Sequence, residues 1–156
     1  MLFRSKVEVA AGQIKITETV TLPKQLHDVA RVGINLELNG ALENYEYFGV
    51  GPHESVPDRA LGKVGRYFVK VEDQLTDYIK PQECGGRVGI RWFELRNGQN
   101  RGLRFELDKP RMVTVLPVTS EALADATHNI YVKRSGTTVV TIDAAHRGVG
   151  TASCGP

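Results

Sequence analysis

The sequence predicts an all-β protein, a sandwich or barrel of short strands. Three observations carry this. Apolar and polar residues alternate through most of the chain, the period of a strand with one buried face. Gly, Pro and Asn-Gly signals interrupt the alternation at short intervals. Helical character is confined to one segment, so the β-α rhythm of a parallel sheet is missing, and a TIM barrel, typically ~250 residues, is excluded. The chain has 156 residues, 41% hydrophobic and 24% charged, which suits one domain, 1–156, with a core of its own.

KVEVAAG from Lys6 and QIKITETVTL from Gln13 alternate cleanly and read as the first two strands. ARVGINLELNG repeats the pattern, with Val32, Ile34, Leu36 and Leu38 on one side and Asn39-Gly40 as the turn. LENYEYFGV is a further strand and runs into the loop GVGPHESVPDR, Gly49 to Arg59. Two prolines and a crowd of polar residues exclude helix and central strand there. GRYFVKV is a short strand. RVGIRWFELRNGQNRGLRFEL reads as a hairpin about Asn97-Gly98, with Trp92 expected in the core. PRMVTVLPV is a strand between prolines. TSEALADATH is the one helix, near 119–127, with Thr119 or Ser120 as its cap. NIYVKR and TTVVTID close a series of about ten strands, the count and spacing of a sandwich.

Charge and motifs exclude several functions. A net charge of +2 without a Lys/Arg stripe gives nucleic acid nothing to track. No apolar run approaches the roughly 20 residues of a spanning helix, so no membrane partner is expected. The beginning, MLFRSKVEVAAG, lacks an apolar signal-peptide core, which fits a cytoplasmic protein. Cys84 and Cys154 match no zinc pattern and are expected as two thiols. His27, His53, His128 and His146 lie at no metal-ligand spacing, so no metal is expected. No phosphate-cradling glycine loop and no nucleophile motif is present. A glycosidase needs two facing carboxyls, and 18 acidic residues single out no pair.

The loop GVGPHESVPDR offers His53 beside Glu54 as an acid–base pair, but bracing is the better reading. In PQECGGRVGIRW, Glu83, Arg87 and Arg91 surround a Gly85-Gly86 turn. On an extended segment Arg87 and Arg91 point the same way. Either is expected to pair with Glu83, or with Glu54 or Asp58 of the first loop. With Arg59, these six residues form the expected structural network at one end of the sandwich.

These motifs carry a family resemblance. YFGVGPHESVPDR, then GRYFVKVEDQLTDYIKPQECGGRVGIRW, RGLRFEL, ADATH and TIDAAHRGVGTASCGP resemble, in that order, the small-chain, or fifth, domain of glycoside hydrolase family 2 β-galactosidases. The resemblance runs over nearly the whole chain, from about Ala30 on. It implies a supersandwich, the β-rich fold shared with galactose mutarotases. It implies a part of an enzyme that hydrolyses terminal β-D-galactosides with retention. The family's catalytic glutamates lie in a TIM barrel outside this chain, so no catalytic residue is expected here, and the isolated chain should be inactive. The implied partners are the remainder of the galactosidase chain or a large subunit, and a β-galactoside. No cofactor is expected in this chain; ions such as Mg or Na belong elsewhere in the full enzymes. In well-known members a tryptophan in a GDDSW-like run reaches the sugar. Here GTASCGP puts Cys154 in its place, so Ser153 and Cys154 are the substrate-lining candidates, though a thiol lacks the flat face of an indole. Relatives also carry Asn-Tyr or Ser-Tyr where Ser55-Val56 stand, which favours bracing over sugar stacking in the first loop. A fragment of a supersandwich exposes sheet edges, so self-association is expected. The alternatives are a carbohydrate-binding module and a mutarotase-type enzyme, in which His53, His128 or His146 would act with Glu54 or Glu83.

Overall fold

The computed structural model describes residues 1–26 and 29–149. The fold is all-β, in two antiparallel sheets. β1 (Leu2–Ala10) and β2 (Gln13–Thr21) form a separate hairpin. Six strands form the main sheet: β3 (Arg31–Asn39), β4 (Asn44–Gly51), β5 (Lys63–Lys70), β6 (Gly86–Arg96), β7 (Gly102–Leu116) and β8 (Thr137–His146). Their spatial order is β3-β8-β7-β6-β4-β5. One short helix, α1 (Ser120–Asp125), follows β7, and the Thr119 hydroxyl accepts from the Ala122 amide at 3.2 Å to cap it.

Every strand of the main sheet sends alternate side chains into one core. Tyr45, Tyr47, Phe93, Leu95, Val113 and Val140 are fully buried there, joined by Leu36 and Leu38 of β3 and Val69 of β5. The Phe93 and Phe105 rings stack 4.4 Å apart, and Tyr45 meets the edge of Phe93 at 5.9 Å. A smaller cluster of Cys84, Leu116, Val118 and Leu123 seats α1.

Several expectations are corrected. RGLRFEL and PRMVTVLPV are one strand, β7, not two. Its pairing with β6 skips from Glu106 to Arg111, so Pro110 sits where no ladder bond is required of it. NIYVKR is not a strand. The Asn129 side chain accepts from the Ile130 amide at 2.9 Å and a 3-10 turn spans Asn129–Tyr131, local bonds that replace sheet pairing. Trp92 is not in the core. The β6–β7 register shifts between Arg87 and Ile90 and again between Ile90 and Trp92. The bulges change which positions face inward, and Gly89, at φ +68°, supplies the left-handed step. Trp92 therefore lies on the outer face, stacked with Phe48 at 6.3 Å under the Arg104 guanidinium at 4.3 Å.

Around that ring the outer face carries a charge ladder. Glu46 of β4 accepts from Arg66 of β5 and Arg96 of β6, and Glu94 of β6 from Arg96 and Arg104. The Arg66 hydrogen bond, helped by the nearby charges of Arg96 and Arg104, outweighs burial and holds the Glu46 carboxyl below its usual range.

Candidate functional site

One end of the main sheet gathers most of the chemistry. The Gly49–Arg59 loop leaves β4 and closes on itself: the Val56 amide donates to the Arg59 carbonyl at 3.2 Å and the Arg59 amide returns to Val56 at 2.9 Å. It is also stitched to β6. The Ser55 amide donates to the Gly86 carbonyl at 2.8 Å, and the Ser55 hydroxyl accepts from the Val88 amide at 3.0 Å. The bulge leaves Val88 without an ordinary ladder partner, and the serine supplies one.

Glu54 is the hub of this loop. One carboxylate oxygen accepts from Arg59 at 2.8 Å and from the Tyr78 hydroxyl at 3.2 Å; the other accepts from the Gly85 amide at 2.7 Å. Burial and the adjacent Glu54 carboxylate raise Tyr78 above the usual phenol range, so it stays a donor. Asp58 at the loop tip reaches the other end of the chain, accepting from the Val149 amide at 3.3 Å. A side chain on Gly148, at φ +95°, would collide with that carboxylate. The loop thus meets the segment that leads to Ser153 and Cys154, which themselves lie outside the described residues, as does the question of whether Cys154 meets the buried Cys84.

Glu83 belongs to a second network. Arg31 grips Asp143 with two bonds of 2.6 and 2.8 Å and reaches Glu83 at 2.9 Å. The Asp143 side chain is 1% exposed. Burial opposes the Arg31 charge, but the hydrogen bond and charge of Asp143 more than offset it and raise Arg31. His146 donates from Nε2 to Glu83 at 3.0 Å, while its Nδ1 accepts from the Gly148 amide at 2.9 Å, which fixes the tautomer.

Arg87 and Arg91 join neither network. Arg87 is buried and, among the described residues, bonds only neutral groups: Tyr47 hydroxyl at 3.2 Å, Gly86 carbonyl at 2.9 Å and Gln74 side-chain oxygen at 2.7 Å. Arg91 is exposed on the outer face, against the Gly89 carbonyl at 3.3 Å and over the Phe48 ring at 5.3 Å. The expected pairing of either with Glu83, Glu54 or Asp58 is thus replaced, because the bulge at Val88-Gly89 turns the two arginines to opposite faces. Beside Arg87 opens a cleft of about 460 Å³, lined also by His53, Glu54, Arg59, Gln74 and Tyr78. No hydrogen bond joins His53 to Glu54 among the described residues; the histidine–glutamate contact is His146 with Glu83.

The sequence points to Glu54, Asp58, Arg59 and Glu83 but not to Arg31, Tyr78 and Asp143 as members of these networks, nor to Gln74 as the partner of Arg87. One signal was available: Asp143 ends the apolar run TTVVTID, where an acid on a buried strand requires a cation.

Comparison with known proteins agrees with the motif order. The family described as the β-galactosidase small chain matches residues 4–156. The β-galactosidase of Actinobacillus pleuropneumoniae is 32% identical over 146 residues, 93% of this chain and 14% of that protein. That of Yersinia enterocolitica is 33% identical over 140 residues, 89% of this chain and 13% of that protein. That of Priestia megaterium is 28% identical over 140 residues, again 89% of this chain and 14% of the relative. The chain therefore spans about one seventh of the length of the relatives it matches.

Proposed function

The chain belongs to the β-galactosidase small-chain family, and from that premise we propose that it serves a larger enzyme that hydrolyses terminal β-D-galactosides, as a packing domain that brings one loop to the active site. In this reading the chemistry is done by carboxylates outside the chain, and Ser153 and Cys154 line the galactoside pocket. The networks of Glu54 with Arg59 and Asp58 with Val149 brace the approach to that loop. The enzyme works in the cytoplasm.

The observation that carries the proposal is the uncovered face of the first hairpin. Phe3, Val7, Val9, Ile14 and Ile16 share one face of β1 and β2, by the pairings Val7↔Ile16 and Val9↔Ile14, and all five are exposed. An isolated two-stranded hairpin is marginal in water. An apolar face of this kind suits the remainder of a larger chain or a large subunit. Without that cover, the hairpin face and the outer strands β3 and β5, which have no further strand beside them among the described residues, are expected to drive self-association.

The test compares two samples in hydrolysis of a chromogenic β-galactoside. The isolated chain should show none. The whole enzyme carrying it should be active, and should lose activity when Val7 and Ile16 are both changed to Asp. Full activity in that double variant would overturn the packing role. The mutarotase-type reading rests on the His146–Glu83 contact; anomerisation of α-D-galactose by the isolated chain, followed by polarimetry, would establish it instead.

A further inference from the structure

The cleft beside Arg87 contains an imbalance. Elsewhere in the main sheet, buried charges meet opposite charges: Asp143 has Arg31, and Glu46 has Arg66 and Arg96. Arg87 is 5% exposed, yet its three hydrogen bonds go to a phenol, a carbonyl and an amide. Burial pushes the Tyr47 hydroxyl up, so the phenol is neutral and supplies no counter-charge. A guanidinium has five N–H donors in a planar fork. The described bonds use one on each nitrogen, which leaves a second N–H on each of the two terminal nitrogens. A buried cation without an opposite charge is strongly disfavoured. Guanidinium N–H groups make their strongest hydrogen bonds to a carboxylate.

We infer that this cleft is a binding site for a sugar acid, with Arg87 holding the carboxylate. The volume, about 460 Å³, falls in the range of small-ligand pockets and accommodates a pyranose. Gln74, Thr76 and Tyr78 line it. Beyond its bonds to Arg87 and Lys70 the Gln74 amide keeps a second N–H, and beyond its bond to Glu54 the Tyr78 oxygen can accept, so both can still meet ring hydroxyls. Glu54 and Asp73 are also on its walls. Their carboxylates, partly offset by Arg59 on the same lining, oppose a doubly charged phosphate more than a singly charged acid. The cleft would take such an acid whether or not the larger enzyme cleaves galactosides.

Calorimetric titration of the full 156-residue chain tests this with three ligands: D-galacturonate, its neutral methyl ester and galactose 1-phosphate. Galacturonate should bind, the ester at least ~10-fold more weakly, corresponding to the loss of one charge-assisted contact. The phosphate should also be weaker than the acid. Arg87→Gln should weaken galacturonate binding at least ~10-fold, while Arg91→Gln, on the opposite face, should leave it unchanged. Because Arg87 is buried and its substitution threatens the fold, the acid-against-ester comparison on the unaltered chain decides alone. Equal affinity for acid and ester, stronger binding of the phosphate, or no binding of the acid up to about 10 mM would overturn the assignment.

Discussion

The main sheet and the first hairpin are written in the same code and end in opposite states. Both are antiparallel, and both alternate apolar with polar residues. Tyr45, Phe93 and Val113 are fully buried in the main sheet. Val7, Val9 and Ile14, at equivalent positions of the hairpin's pattern, are exposed, Val9 by 78%. The difference is strand number. Six strands contribute side chains to one shared cluster, whereas the two hairpin strands have no second layer over them among the described residues. Alternation identifies a strand and its apolar face; it does not say what covers that face.

Substitutions can break this contrast or sharpen it. The largest effect is expected for Phe93→Ala, a loss of about 3–5 kcal/mol from the aromatic stack with Phe105, read by urea denaturation. A loss under about 1 kcal/mol would mean that the main core is no better packed than the hairpin. Next comes Arg31→Met, which strands the Asp143 carboxylate in the interior and should cost about 3 kcal/mol. Restoring an apolar pair with Asp143→Leu should recover much of that loss, and absence of recovery would argue against burial as the cause.

Glu54→Gln removes a charge that accepts from Arg59, Tyr78 and Gly85, and should destabilise by about 2 kcal/mol. A double-mutant cycle should find coupling of Glu54 with Arg59 and none with Arg87; coupling to Arg87 would contradict the separation of the two arginine environments. Glu46 supplies a pH test. Its carboxyl is held down chiefly by the Arg66 hydrogen bond, so its folded value lies below its unfolded one. Its contribution is full above the unfolded value, about 4.3, and is lost as pH falls through the lower folded value. Thermal melts between about pH 3 and 6 should show this drop in the natural chain and a shallower one in Glu46→Gln. Parallel curves would remove Glu46 from the account. The smallest effect belongs to the hairpin: Val7→Ala, or loss of the exposed Lys6–Glu8 pair at 3.0 Å, should change the stability of the isolated chain by less than about 0.5 kcal/mol.

The same contrast explains what the sequence makes legible. Seven of the eight strands are visible as separate alternating or apolar runs, and α1 through its Thr119 cap. The exception, β7, looks like two strands because Pro110 reads as a break; only the slipped register shows that the proline meets no ladder position. Glu54 and Arg59 are five positions apart on one loop; the sequence puts both in one bracing network but assigns Glu54 to Arg87 or Arg91 rather than to Arg59. Arg31 and Asp143 are 112 positions apart, and nothing local links them. Arg87, Arg91 and Trp92 mislead for another reason. Period-two reasoning holds only while the strand is regular, and the bulges between Arg87 and Trp92 change inward positions to outward ones.

By itself, then, the sequence determines the all-β class, most strand boundaries, the polar loop after β4 and the family of small-chain domains to which the motif order points. These depend on short-range stereochemistry and on residue order, which a one-dimensional text contains. The tertiary structure decides that Arg87 is buried with only neutral hydrogen-bond partners among the described residues, that Trp92 faces outward, that Asp143 draws in Arg31, and that no described residue covers the hairpin's apolar face. Each depends on strand register or on long-range contact, where a shift of one residue reverses a face and partners come from distant parts of the chain.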